Sequence, residues 1–138
     1  MRVDFHTNIA DKVSYACRLA RKAYGARGKL VLLAEDAAQA QALDAGLWSV
    51  GATDFLPHAM AADPLAAQSP IIVTDSLAQP FPHYDMLVNL TRTTPDGVER
   101  FARVFEIVAK DEDDAAAGRK RYSAYKQQAV PLTHFVAS

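Results

Sequence analysis

The chain has 138 residues, half of them hydrophobic, and a formal net charge of −1. This is a globular composition of one domain's size, and the near-neutral charge argues against general nucleic-acid binding, for which a basic domain is expected. No apolar run approaches the roughly 20 residues that span a bilayer, MRVDFHTNIADK has no apolar leader core, and the lone Cys17 makes neither an internal disulfide nor a thiolate metal cluster, so a cytoplasmic protein is expected.

RVDFHT alternates apolar and polar residues and predicts a strand. Asp11 opens a helix in which Val13, Ala16, Cys17, Ala20, Ala23 and Tyr24 recur at three- and four-residue spacing, and Gly25 and Gly28 end it. KLVLLAE is a continuous apolar run, suited to a strand buried on both faces. Asp36 caps a second helix, DAAQAQALDAGLW. SVGATDFLPHAM loses periodicity and reads as loop or short extended structure, and ADPLAAQSP as a proline-punctuated connection. PIIVTDS and DMLVNLT predict the third and fourth strands, with QPFPHY as loop between them. Pro95, Asp96 and Gly97 mark a turn leading into a helix over VERFARVF. FEIVA is either a fifth short strand or an extension of that helix. DEDD, from Asp111 to Asp114, begins a last helix that carries AAAGRKRYSAYKQQ and stops at Pro131. Strands alternating with helices, and strands without polar alternation, predict an α/β fold with a mostly parallel sheet.

Charge is unevenly spread. Seven cations fall by Lys29, there are none between Leu30 and Thr91, and eight follow from Arg92 onward, while the cation-free stretch holds seven acids. Such a chain presents an acidic region and separate basic patches, which suits more than one protein contact better than one enzyme cleft.

The nucleotide reading that such a sheet invites finds no support. TNIADK follows the first strand without a glycine, AEDAAQ follows the second and is acidic, and neither GxGxxG nor GxxxxGK[ST] occurs. His6, His58, His83 and His134 show no ligand spacing, DEDD reads as a dipole-matched helix start rather than a metal site, and no GxSxG elbow is present. No cofactor, metal or catalytic residue is therefore assigned.

Two surface stretches remain. GLWSVGATDFLPH contains the only tryptophan, Trp48, with Phe55 and Leu56 in irregular backbone and Pro57 stiffening it. It is either an apolar patch for a protein partner or a segment folded back onto the core. In the last helix Arg119, Tyr122 and Lys126 share one stripe, with Ala115 a turn earlier. Tyr125 lies on the neighbouring row facing inward, and Lys120 and Arg121 point elsewhere. A ring between two cations suits a short acidic ligand with an aromatic end. It is small for a DNA track. A solvated helix face with Tyr122 half-buried is the plainer alternative.

These stretches resemble the chi subunit family of bacterial DNA polymerase III. ALDAGLWSVGATDFLPHAM resembles the family's middle signature, AGRKRYSAYKQQAVPLTHF its C-terminal helix, and KLVLLAED, YDMLVNL and the total length also fit. The resemblance covers nearly the whole chain. It implies one chi-like domain over 1–138, a Rossmann-like three-layer α/β fold without a nucleotide-binding loop. It further implies a non-enzymatic accessory subunit of the clamp-loader assembly. The psi subunit would bind one surface, and the acidic, phenylalanine-ended C-terminal tail of single-stranded-DNA-binding protein another, so that DNA is reached only indirectly. Carried over by position, Trp48, Phe55, Pro57 and His58 match the psi-facing signature. Arg119 and Tyr122 match the tail-binding helix, with Lys126 added from the stripe. Ala115 stands where the family offers a lysine, and the DEDD run shortens the spacing before the helix, so the site is expected to be weaker or to draw a cation from Arg121 or the first helix. The competing expectations are a small α/β enzyme or nucleotide-binding protein without recognisable motifs, and direct DNA binding through the first and last helices.

Overall fold

The computed structural model describes residues 1–49 and 56–138. Seven strands form one sheet in the order β3-β4-β2-β5-β6-β1-β7. They are β1 (Arg2–Ile9), β2 (Leu30–Leu33), β3 (His58–Met60), β4 (Ile71–Thr74), β5 (Met86–Asn89), β6 (Arg103–Ala109) and β7 (Leu132–Val136). Every pairing is parallel. Three helices cover it: α1 (Lys12–Gly25), α2 (Ala37–Ser49) and α3 (Glu112–Gln127). The fold is α/β and Rossmann-like, in three layers.

The helix starts follow from local chemistry. Asp11 accepts the N–H of Ser14 at 3.1 Å, Asp36 that of Gln39 at 2.8 Å, and Asp111 that of Asp114 at 3.0 Å, so each predicted cap satisfies a donor that the first turn leaves open. The sheet has two dry faces, as apolar runs without alternation require. On one, α1 and α2 pack Ala16, Cys17, Ala20, Leu43 and Leu47 against Leu32, Val88 and Ile107. On the other, α3 and two short 3-10 turns, Pro64–Gln68 and Val98–Arg100, cover Val3, Phe5, Val31, Leu87 and Val104. Tyr24 departs from the predicted apolar stripe of α1 and is exposed.

Two elements differ from the sequence reading, and the short extended structure it allowed before Met60 takes the form of a strand. The helix expected over VERFARVF is a single 3-10 turn, Val98–Arg100, and the chain from Arg103 onward is β6, the longer form of the fifth strand. Val104 to Val108 are all buried. A strand fully enclosed by α1 on one side and α3 on the other accounts for this better than an amphipathic helix. Pro131 does end the helix, but LTHFV beyond it forms β7 on the outer side of β1. The irregular stretch ending in PHAM supplies β3, a three-residue edge strand.

One polar cluster is buried between α3 and the sheet. Glu106 on β6 is fully buried, as is Asn89 on β5. Arg121 Nε donates to Glu106 Oε1 at 3.0 Å, Asn89 Nδ2 donates to the same oxygen at 3.0 Å, and the Tyr125 hydroxyl donates to Oε2 at 3.2 Å. Arg121 is therefore turned into the core. It cannot supply the surface cation that the sequence reading offered as a substitute at the last helix. The pair sets the rotation of α3, and with Arg121 and Tyr125 inward, Arg119 and Tyr122 fall toward the surface.

Candidate functional site

A groove of about 560 Å³ lies where α3 meets the C-terminal ends of β1 and β6 and the face of β7. Its lining includes Phe5, Val108, Gly118, Arg119, Tyr122 and His134, with Ala115, Asn8 and Lys110 at its margins. The floor is apolar and the rim cationic. Phe5 sits edge-on to Tyr122 at 5.1 Å between ring centroids, and Tyr122 faces His134 at 6.1 Å. Gly118 brings the helix close to the sheet, since a Cβ there would lie 2.8 Å from Val108 Cγ1. Arg119 is exposed and donates to Glu112 Oε1 at 2.7 Å. An exposed pair of this kind is worth about 0–1 kcal/mol, so the guanidinium is easily exchanged onto another carboxylate.

Of the residues singled out from the sequence, Arg119, Tyr122 and Ala115 come together here. Lys126 is exposed about two turns beyond Arg119 and is not part of the lining. Lys110, at the end of β6, is the cation that sequence reasoning missed. It lies in the short turn between β6 and α3, five residues before Ala115, and lines the same groove.

The second surface lies at the other end of the sheet. Trp48, at the end of α2, is 58% exposed and so is not folded onto the core. Its ring meets that of His58 edge-on at 5.0 Å. The His58 side chain is buried, with Nδ1 against the carbonyl oxygen of Leu56 at 2.8 Å and Nε2 against Asp44 Oδ1 at 2.9 Å. His58 thus supports Trp48 from below rather than facing outward. Pro57 is half-buried beside it, and Phe55 lies outside the described residues.

The crevice where a doubly wound sheet holds nucleotides encloses about 240 Å³ here and is lined by ion-paired side chains, three of them acidic. At the C-terminal ends of β2 and β5, Lys12 Nζ lies 3.0 Å from Asp114 Oδ1 and 2.7 Å from the Leu90 carbonyl oxygen, and Arg92 Nε lies 3.0 Å from the same Asp114 oxygen. Glu35 accepts the Arg92 N–H at 3.1 Å. Burial raises the Asp114 carboxyl, but the Ala109 N–H, Lys12 and Arg92 outweigh it and hold the group below the usual range. A phosphate here would face the carboxylates of Asp114, Asp111 and Glu35. Among the described residues no helix is long and apolar enough to cross a membrane.

A parallel three-layer α/β domain of this kind, with ion pairs in its strand-end crevice and a cation-rimmed apolar groove on its flank, belongs to the Rossmann-like class. The family model for the DNA polymerase III chi subunit, HolC, matches residues 1–133. The DNA polymerase III subunit chi of Pseudomonas aeruginosa is 35% identical over 136 residues, 95% of this chain and 93% of that protein. Those of Haemophilus influenzae and Escherichia coli are 27% identical over 118 residues (86% and 82% of the two chains) and 26% over 110 (80% and 75%). The chain belongs to the DNA polymerase III chi subunit family, whose members are accessory subunits in replication.

Proposed function

We propose that this protein is a non-catalytic adaptor within the polymerase complex, a single domain over 1–138 acting in the cytoplasm. It joins a psi subunit through the Trp48 surface to the acidic C-terminal tail of single-stranded-DNA-binding protein through the α3 groove, and meets DNA only through that partner. The observation that carries the reading is the composition of the groove: an aromatic and aliphatic floor at Phe5, Val108 and Tyr122, under a rim holding Arg119 and Lys110. A terminal carboxylate pairs with Arg119, and the ring beside it packs against Tyr122. Lys110 takes the part of the missing lysine at Ala115, and Lys126 attracts the acidic residues further along the peptide. On the other surface Trp48, Phe55 and Pro57 make the apolar contact with psi, with His58 holding Trp48 in place. The acid-lined, ion-paired strand-end crevice, which has no glycine-rich phosphate loop beside it, supports the non-catalytic part of the reading.

Calorimetric titration with an acidic peptide ending in phenylalanine tests it. A hydrogen bond to a charged group contributes about 1.5–3 kcal/mol, so Arg119→Ala weakens binding roughly ten- to a hundredfold and lowers its salt dependence. Amidating the peptide's terminal carboxylate produces a similar loss in the unaltered protein and little further loss in the variant. Unchanged affinity in Arg119→Ala overturns the assignment.

A further inference from the structure

The open edge of the sheet next to β7 carries a second groove, on the face opposite the one described above. It encloses about 320 Å³ between α1 and β7 and is lined by His6, Tyr15, Arg18, Leu19, Lys22 and Phe135. Among the described residues β7 pairs with β1 alone and ends the sheet. Val3 donates to the Pro131 carbonyl oxygen at 3.0 Å and Ala137 donates to that of Thr7 at 3.0 Å. With the parallel register of β1 and β7, this alternation turns the backbone groups of Thr133 and Phe135 inward and those of Leu132, His134 and Val136 toward the open side. LTHFV contains no charged residue, no proline and no glycine, none of the devices that usually block an exposed edge. Phe135 and Val136 are 55% and 59% exposed.

The groove beside that edge is apolar below and cationic above. The His6 ring stacks obliquely on Phe135 at 5.6 Å and edge-on to Phe105 at 5.6 Å, and it contacts the Tyr15 hydroxyl. Burial holds this histidine toward its neutral form. Arg18 and Lys22 stand one turn apart on α1, both exposed, and among the described residues neither is paired with a carboxylate. No acid lines the groove. A second copy of this chain is a poor occupant. Antiparallel pairing of two β7 strands would set both copies' Arg18 and Lys22 on the same face of the joined sheet.

We infer that the β7 edge is a docking site for an extended acidic segment of a partner protein, which adds as an eighth strand beside β7, directs its carboxylates past Phe135 to Arg18 and Lys22, and turns its alternate, apolar side chains to the opposite face beside Val136. Main-chain pairing supplies affinity and the alternate side chains supply selectivity. The site is independent of the α3 groove, from which β7 separates it.

The probe is a short capped peptide of alternating glutamate and valine, titrated into the isotope-labelled full chain and followed by amide chemical shifts. Shifts are expected at residues 132–137 and along α1 near Arg18 and Lys22, with binding weakened about tenfold between low and high salt. The double reversal Arg18→Glu with Lys22→Glu abolishes them. Val136→Pro, which removes one outward N–H, weakens binding without altering the fold seen in the remaining shifts. A lysine–valine peptide does not bind. The same reversal leaves binding of the phenylalanine-ended tail peptide intact, and Arg119→Ala leaves the glutamate–valine peptide intact, so the failure of either site is seen separately. The inference is overturned by equal binding of the lysine–valine peptide. It is equally overturned by shifts confined to the α3 groove, by no shifts, or by concentration-dependent self-association that perturbs residues 132–137 in sedimentation and shift measurements.

Discussion

Replacing Arg121 by methionine isolates the one ion pair that, among the described residues, is fully inside the molecule. Arg121 Nε lies 3.0 Å from Glu106 Oε1, and the two side chains are 4% and 0% exposed. Methionine fills much of the arginine's volume, so the main effect is to leave the Glu106 carboxylate uncompensated, at a cost of about 3–5 kcal/mol. With a urea slope of about 2 kcal/mol/M for a chain of this size, the midpoint falls by about 2 M. Adding Glu106→Leu removes the stranded charge. Two hydrogen bonds, from Asn89 and Tyr125, are then lost, at about 1 kcal/mol each, while the two terminal Arg121 nitrogens, which are buried without partners, are no longer desolvated. The double variant therefore returns to within about 2 kcal/mol of the starting protein. The pH dependence has a definite sign. Burial already pushes the Glu106 carboxyl upward, with Arg121, Asn89 and Tyr125 pulling the other way. Without Arg121 its folded value rises further above the unfolded one, so the penalty is absent below the ordinary value of 4.5 and grows as pH rises toward neutrality. Urea midpoints measured across that range decide the matter. A cost below about 1 kcal/mol in the single variant, or no recovery in the double, would refute the account of α3 as a helix whose rotation is set by a buried pair.

Two further outcomes follow from the geometry. The folded value of Asp114 is lowered from 3.8, so its contribution is present above that value and is lost as pH falls through and below it. Asp114→Asn accordingly flattens the acid limb of a plot of melting temperature against pH, and an unchanged limb contradicts the assignment. Gly118→Ala places a methyl 2.8 Å and 2.9 Å from the two Val108 methyls. The gain of about 1 kcal/mol in helix propensity is outweighed by overpacking of about 1–3 kcal/mol, so the melting temperature and tail-peptide affinity both fall, and Val108→Ala in the same chain restores them.

Much of the architecture is legible locally because its signals are local. Asp11, Asp36 and Asp111 each satisfy an N–H three residues on, and the apolar runs at Leu30–Leu33 and Ile71–Thr74 have no polar alternate to give them a solvent face. β6 was obscured for the opposite reason. Its α3 face carries Glu106, whose polarity suggests exposure until Arg121, fifteen residues later, folds back to meet it. β7 was missed because LTHFV is too short and too exposed to show a pattern, and becomes a strand only where β1 offers it a parallel neighbour.

The candidate site divides the same way. The helical period alone put Arg119 and Tyr122 on one face and turned Tyr125 inward, since side chains three and four apart share a surface on any helix. The sequence also excluded a glycine-rich phosphate cradle, because that device needs contiguous residues. Tertiary structure decided what the period could not: that Arg121 belongs to the core, that Lys110 and His134 join the groove, and that Lys126 lies beyond its lining. It also set Arg18 and Lys22 beside Phe135, more than a hundred residues away in the chain. Such groups meet only through the order in which strands pair, and strand order depends on which apolar faces cover one another, not on the spacing of residues within any one segment.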